Sequence, residues 1–210
     1  MNFTPVKTPG ILRHSFKNLI WSIPSTKKTI YLTFDDGPTS EITDWTLDIL
    51  LKYNAKATFF CIGKNVEKHP QIYKRILSEG HGIGNHSYTH LKGWKTDTKT
   101  YTKDIFSAAK LIDSKLFRPP YGQITPKQIK AISKQEYQIV MWSILSLDWD
   151  KSIDKETCAN NIIRQSTSGD IIVFHDSIKA KKNMQYALPE VIDYFSKKGF
   201  EFKRIPESIQ

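Results

Sequence analysis

Two short stretches of this chain bring together side chains that bind metals and move protons. Thr33-Phe34-Asp35-Asp36-Gly37 places adjacent carboxylates after an apolar run, Thr29-Ile30-Tyr31-Leu32. Farther along, Asn85-His86-Ser87-Tyr88-Thr89-His90 sets two imidazoles four residues apart. One carboxylate and two imidazoles make the ligand set of a catalytic zinc site, in which three protein ligands leave a position open. The other carboxylate is then spare for proton transfer. Each stretch also has a plainer reading. Asp-Asp-Gly after a strand is a common turn. His-x-x-x-His on a helix, or on a single turn of one, puts both rings on one side, where they bind a metal or sit as hydrogen-bonded structural histidines.

Three more polar clusters share their placement. Arg118-Pro119-Pro120-Tyr121-Gly122 follows a short strand candidate, Asp148-Trp149 lies beyond another, and His175-Asp176 follows Ile171-Ile172-Val173-Phe174. Strands are expected at 29–34, 56–61, 81–85, 116–118, 137–143, 170–174 and 200–204. Helices are expected at 40–53, 65–79, 97–114, 125–135, 155–167 and 186–198. The helix at 40–53 has one buried face, marked by Trp45, Leu47, Ile49 and Leu50. Gly80 and Gly199 stand where left-handed helix caps belong. Alternating strands and helices, with strands that read as continuous apolar runs, predict an α/β fold built on parallel strands covered on both faces. In such folds sites form at the C-terminal strand ends, where all five clusters fall. Residues 1–28, punctuated by Pro5, Pro9, Gly10 and Pro24, read as an extension with one short helix in Ile11–Ile20. The remaining histidines, His14, His69 and His81, lack such company and are read as structural.

The chain has 210 residues, 39% of them hydrophobic, enough for one sizeable core. There is no internal repeat and no low-complexity tract. Its net charge of +10 is spread along the sequence, as on a solvated lysine-rich surface, and no nucleic-acid-binding motif accompanies it. No Gly-x-Gly-x-x-Gly or phosphate-binding Gly-Lys-Ser/Thr loop occurs. Cys61 and Cys158 read as two separate buried thiols, with a single bridge as the alternative. No apolar run reaches the length of a signal core or a membrane span, so the sequence reads as cytoplasmic or as a mature form without its targeting segment. A monomer is expected.

Taken in order, Thr-Phe-Asp-Asp-Gly, His-Ser-Tyr-Thr-His, Arg-Pro-Pro-Tyr, Asp-Trp and Val-Phe-His resemble the five motifs of the NodB-homology polysaccharide deacetylases, carbohydrate esterase family four. Ala57-Thr58-Phe59-Phe60 and Gly84-Asn85-His86 are similar to that family too. The resemblance covers the domain expected at 29–207, and it implies a distorted (β/α)7 barrel. It implies a divalent metal on Asp36, His86 and His90, with zinc ahead of cobalt, nickel and manganese. It makes Asp35 the general base, held by Arg118, and His175 the general acid, oriented by Asp148. The Tyr121 main-chain N–H, in a loop stiffened by Pro119 and Pro120, would donate to the developing oxyanion. Trp149 and Val173 would line an acetyl pocket. Two residues depart from the family's habit: Val173 where relatives often carry Leu, and Leu145 where many carry Asp.

The activity so implied is hydrolysis of N-acetyl groups on a GlcNAc-containing carbohydrate, such as peptidoglycan or a chitin-type oligomer. Two other readings compete: an amidohydrolase acting on a non-sugar amide, and a catalytically silent glycan-binding module. The presence of both Asp35 and His175 argues against the second, because binding alone needs neither an acid nor a base. Gly93, Trp94 and Lys95 are candidates for the groove or for plain surface.

Overall fold

The frame is a set of parallel strands whose C-terminal ends share one mouth. A computed structural model describes residues 4–209. In chain order the elements are α1 (Gly10–Ser15), β1 (Thr29–Asp35), α2 (Ile42–Lys52), β2 (Ala57–Cys61), α3 (Gly63–Lys68), α4 (Pro70–Ser78), β3 (Gly82–Asn85) and α5 (Thr98–Ala108). There follow β4 (Leu116–Phe117), α6 (Pro126–Ser133), β5 (Gln138–Ile139), β6 (Ile144–Leu145), α7 (Lys155–Ile163), β7 (Ile171–His175), α8 (Lys181–Lys197) and β8 (Glu201–Phe202). Seven strands run in the order β5-β4-β3-β2-β1-β7-β6 and curl into a half-barrel, and β8 adds to β1 at Thr29 and Ile30. Every pairing is parallel. The expected α/β barrel-like architecture of a single domain is therefore present.

The core explains the continuous apolar strands. β1 and β2 are buried at every position. Phe34 stacks between Phe59, at 5.0 Å between ring centroids, and Phe174, at 6.0 Å. The amphipathic helices cover the outer face with Leu47, Leu50, Ile76, Ile162, Leu188 and Ile192. Gly80 and Gly199, with φ of 76° and 75°, follow the ends of α4 and α8. Cys61 and Cys158 are separate, buried thiols.

Four elements differ from expectation. The helix expected at 65–79 is two helices broken at His69-Pro70, since the residue before proline is driven out of the helical region and Pro70 opens the next helix. The last helix begins at Lys181 and carries Pro189 inside it, where a proline ordinarily signals a boundary. The helix expected in 11–20 stops at Ser15 and buries none of its residues. The strand expected at 137–143 is instead β5 and β6, which stand at opposite edges of the sheet. Residues 140–143 cross the seam between those edges, so Asp148 lies beyond β6.

The segment before β1 fills that seam. Ile20 bridges Val140, Lys7 bridges Ile144 and Ser22 bridges Asp170. Ile20 N–H donates to the Ile139 carbonyl at 2.9 Å, Met141 N–H donates to the Ile20 carbonyl at 2.7 Å, and Leu145 N–H donates to the Val6 carbonyl at 2.8 Å. Leu19, Trp21 and Ile23 point into the body. Trp21 is 7% exposed and its Nε1 donates to the Phe16 carbonyl at 3.0 Å. Trp21→Ala should destabilise the chain by roughly 3 kcal/mol, the ordinary cost of emptying a buried tryptophan site. Equilibrium denaturant unfolding of the two forms measures this.

Candidate active site

β1 ends on Asp35, and its register pairs that residue with Phe60 on one side and His175 on the other. The floor of the mouth is built around Arg118, which is 0% exposed. Its Nη1 donates to Asp35 Oδ1 and to Thr33 Oγ1, each at 2.7 Å. Its Nε donates to the Val140 carbonyl at 3.2 Å and its Nη2 to the Met141 carbonyl at 2.9 Å. The guanidinium lies 4.1 Å from the centroid of the Phe60 ring. A buried cation whose donors are satisfied this fully fixes the direction of the one carboxylate it faces.

Asp36, His86 and His90 converge beside it. One ligand atom from each lies within 4.8 Å of the others. Asp36 Oδ1 stands 3.1 Å from His90 Nε2 and 3.7 Å from His86 Nε2. The histidines reach this point from a loop and not from the helical turn expected of His-x-x-x-His: Ser87 and His90 both have left-handed backbone, at φ 63° and 62°. The loop is pinned by Asp104, which accepts from Tyr88 N–H at 2.9 Å, Thr89 N–H at 3.0 Å and the Thr89 hydroxyl at 2.8 Å. His86 Nδ1 faces the Arg118 carbonyl at 2.8 Å, so Nδ1 carries the proton and Nε2 is left as a lone-pair donor. Burial pushes His86 down to about 4, which keeps the ring neutral. Burial pushes Asp36 the other way, but the His90 hydrogen bond and the charges of the nearby histidines hold it well below the usual carboxylate range. An ionised carboxylate and a neutral imidazole aimed at one point are donors that suit a divalent cation.

Across the mouth, Asp148 grips His175 twice. Oδ1 lies 2.8 Å from His175 Nδ1, and Oδ2 accepts from its main-chain N–H at 2.7 Å. Burial pushes this imidazole down, but the Asp148 pair, with Asp36 and Asp35 beyond it, raises it to about 9. The Trp149 ring meets the His175 ring edge-on at 4.7 Å. Leu145, which pairs in register with Val173, packs with it and with Trp142 and Trp149. Tyr121 sits in a short turn, Pro120–Gly122, at φ 59°; its ring is 55% exposed and lies 4.6 Å from that of His90.

These groups line one groove of about 780 Å³. Asp35, Asp36, His86, His90, Tyr121, Trp149, Val173 and His175 all face it, with Arg118 and Asp148 buried behind. His69, read as structural, stands on the rim beside Asn65 and Lys68. His81 is a buried structural ring that accepts from Ala57 N–H. Trp94, 69% exposed, belongs to a surface turn outside the lining of the groove. Four contributors had no role in the sequence reading: Thr33, Asn65, Asp104 and Asp176. Their pattern carries no signal, because each acts on a residue distant in sequence or through main-chain atoms. Asp176 is fully buried, and burial pushes it up to about 7.

Residues 22–140 match the family model described as polysaccharide deacetylase. The chain is 38% identical over 197 residues to a peptidoglycan-N-acetylglucosamine deacetylase of Bacillus cereus, covering 90% of this chain and 71% of that protein. It is 31% identical over 190 residues to the peptidoglycan-N-acetylmuramic acid deacetylase PdaA of Bacillus subtilis, covering 86% and 71%. Among solved structures, a peptidoglycan N-acetylglucosamine deacetylase in complex with 4-naphthalen-1-yl-N-oxidanyl-benzamide superposes with a TM-score of 0.87 at 36% identity, covering 95% of each chain. Fold, motif order and these relatives agree: the chain belongs to the NodB-homology polysaccharide deacetylases, carbohydrate esterase family four.

Proposed function

We propose that the chain hydrolyses the N-acetyl group of an amino-sugar residue in a GlcNAc-containing glycan, peptidoglycan first among them, and releases acetate. One observation carries this reading. A carboxylate and an imidazole occupy paired positions on neighbouring strands, Asp35 and His175, in the same groove as a set of three residues suited to hold a metal. Amide hydrolysis needs a proton removed from water and a proton given to the departing nitrogen. Asp35, held by Arg118, takes the first; His175, held by Asp148, gives the second. Main-chain geometry at Tyr121 supports its N–H as an oxyanion donor, and Pro120 precedes it in the same turn. The wall of Trp142, Leu145, Trp149 and Val173 is apolar, which suits the methyl of an acetyl group. Asp36, His86 and His90 would hold a divalent cation, zinc by the chemistry of a one-carboxylate, two-imidazole set, and that cation supplies Lewis-acid polarisation of the acyl oxygen and a more acidic water.

Asp35→Asn should lower kcat for acetate release from GlcNAc oligomers roughly a thousandfold, the loss typical of a general base, with bound metal unchanged. Acetate assay and metal analysis of the same preparation check both halves. Treatment with a chelator should abolish release by the wild-type chain, and added zinc should restore it. The pH profile has a definite sign. A histidine raised to about 9 stays protonated below its ordinary value and loses the acid as pH rises through 9. Activity should therefore fall on that alkaline limb. Asp148→Asn should move the limb down by roughly two pH units, towards an unperturbed histidine. A limb unmoved in Asp148→Asn would remove His175 from the role of acid.

A further inference from the structure

Each carbonyl of Asp35-Asp36-Gly37 is captured by a different neighbour. Asp176 N–H donates to the Asp35 carbonyl at 3.2 Å, and Ile62 N–H donates to the Gly37 carbonyl at 2.9 Å. Between them, the Asn65 side-chain amide donates to the Asp36 carbonyl at 2.7 Å. The residue so held has left-handed backbone, at φ 78°. Aspartate tolerates that conformation better than most residues but does not prefer it, and it persists where surrounding contacts over-determine it.

The far side of the turn is packed by a carboxyl group that the proposed chemistry does not use. Asp176 is fully buried, and its Oδ2 accepts from the Thr43 hydroxyl at 2.5 Å. Thr43 Oγ1 in turn accepts from Thr39 N–H at 2.7 Å. Asp176 Oδ1 has no hydrogen-bond partner among the described residues. The carboxyl lies directly on Gly37, where an added Cβ would stand 2.0 Å from Oδ2. Gly37 is thus the only kind of residue that lets the turn close on Asp176. Burying a carboxyl with one oxygen unpartnered is unfavourable, so its retention against this turn calls for a compensating gain.

We propose that Asn65 and the Asp176–Thr43 pair are positioning residues that clamp the Asp36 turn and thereby set how tightly Asp36, His86 and His90 hold a divalent cation. The proposal rests on the ligand assignment made above. With the clamp in place the carboxylate is already aimed, and none of the binding free energy is spent on ordering it. With the clamp loosened the turn relaxes from its left-handed conformation, and the metal must order it again. The loss then falls on metal affinity, because none of these three side chains donates a ligand atom. At saturating metal the turn is restored, so KM for substrate stays as in the wild type where the altered side chain does not line the groove.

Competition of each purified protein with a chromogenic chelator for zinc tests this. Asn65→Ala, Thr43→Val and Asp176→Ala should each weaken affinity by about 10- to 100-fold, the range seen when a supporting hydrogen bond to a ligand is removed. Excess zinc should return kcat in all three variants, at unchanged KM in Thr43→Val and Asp176→Ala, whose side chains do not line the groove. Asp176→Asn, which keeps an oxygen for Thr43, should bind zinc close to the wild type. Asn65 is only half-buried, so Asn65→Ala gives a reading even where an Asp176 variant does not fold. Zinc affinity equal to wild type in Asn65→Ala and Thr43→Val, with only the thermal midpoint of the metal-free protein lowered, would reduce the clamp to ordinary bracing and overturn the proposal. Asp36→Ala separates the two levels. If it binds zinc as well as the wild type, the ligand assignment itself fails, and the clamp fails with it.

Discussion

The ion pair between Arg118 and Asp35 organises this molecule. A guanidinium buried in the mouth of the half-barrel would be prohibitive without full satisfaction of its charge and donors. It obtains that satisfaction from three directions: the β1 residues Thr33 and Asp35, the seam carbonyls of Val140 and Met141, and the face of Phe60. The same residue's carbonyl faces His86 Nδ1. One arginine therefore fixes the direction of a carboxylate and the tautomer of a neighbouring histidine. Asp35 and His86 thus share one anchor.

The opposite wall uses the same device with the charges reversed. Asp148 is buried and holds His175 through both its ring and its main chain. Asp35 and His175 thus face the groove while Arg118 and Asp148 lie buried behind them. In low local dielectric those pairings are strong, and Asp148 raises the His175 imidazole against the opposing pull of burial. The two halves meet along the β1–β7 pairing, where one register holds Asp35 opposite His175. A slip of β7 by one residue along that ladder would leave Asp35 in place and turn His175 away from the groove.

Much of this was legible in the sequence, and the exceptions have a common cause. Strand positions and the polar clusters at their ends could be read because apolar runs and turn residues are local signals. Asp35, Asp36, His86, His90, Arg118, Asp148 and His175 all line or back the groove as their motif order implied. The division of 137–143 into two strands could not be read, since which edge a short apolar run joins depends on partners far away. The left-handed loop carrying His86 and His90 was hidden for a similar reason: it is held by Asp104, a residue of α5. Asn65 was invisible because it acts on a carbonyl, and main-chain acceptors leave no trace in side-chain spacing. The packing role of Trp21 in the segment before β1 was masked by the prolines and glycine around it.

The seam has a further bearing, on the order in which the molecule is made. Ile20 meets Val140, and Lys7 meets Ile144, across well over half the length of the chain. Contacts this distant are entropically costly to close and are slow to form. On the ribosome the segment before β1 is without these seam partners until the residues beyond β5 have been synthesised. Those same residues supply the Val140 and Met141 carbonyls that complete the Arg118 cage. Closing the half-barrel and completing the Arg118 cage thus draw on the same residues, and a chain that stops short of the seam lacks two of the four hydrogen bonds that hold the guanidinium facing Asp35.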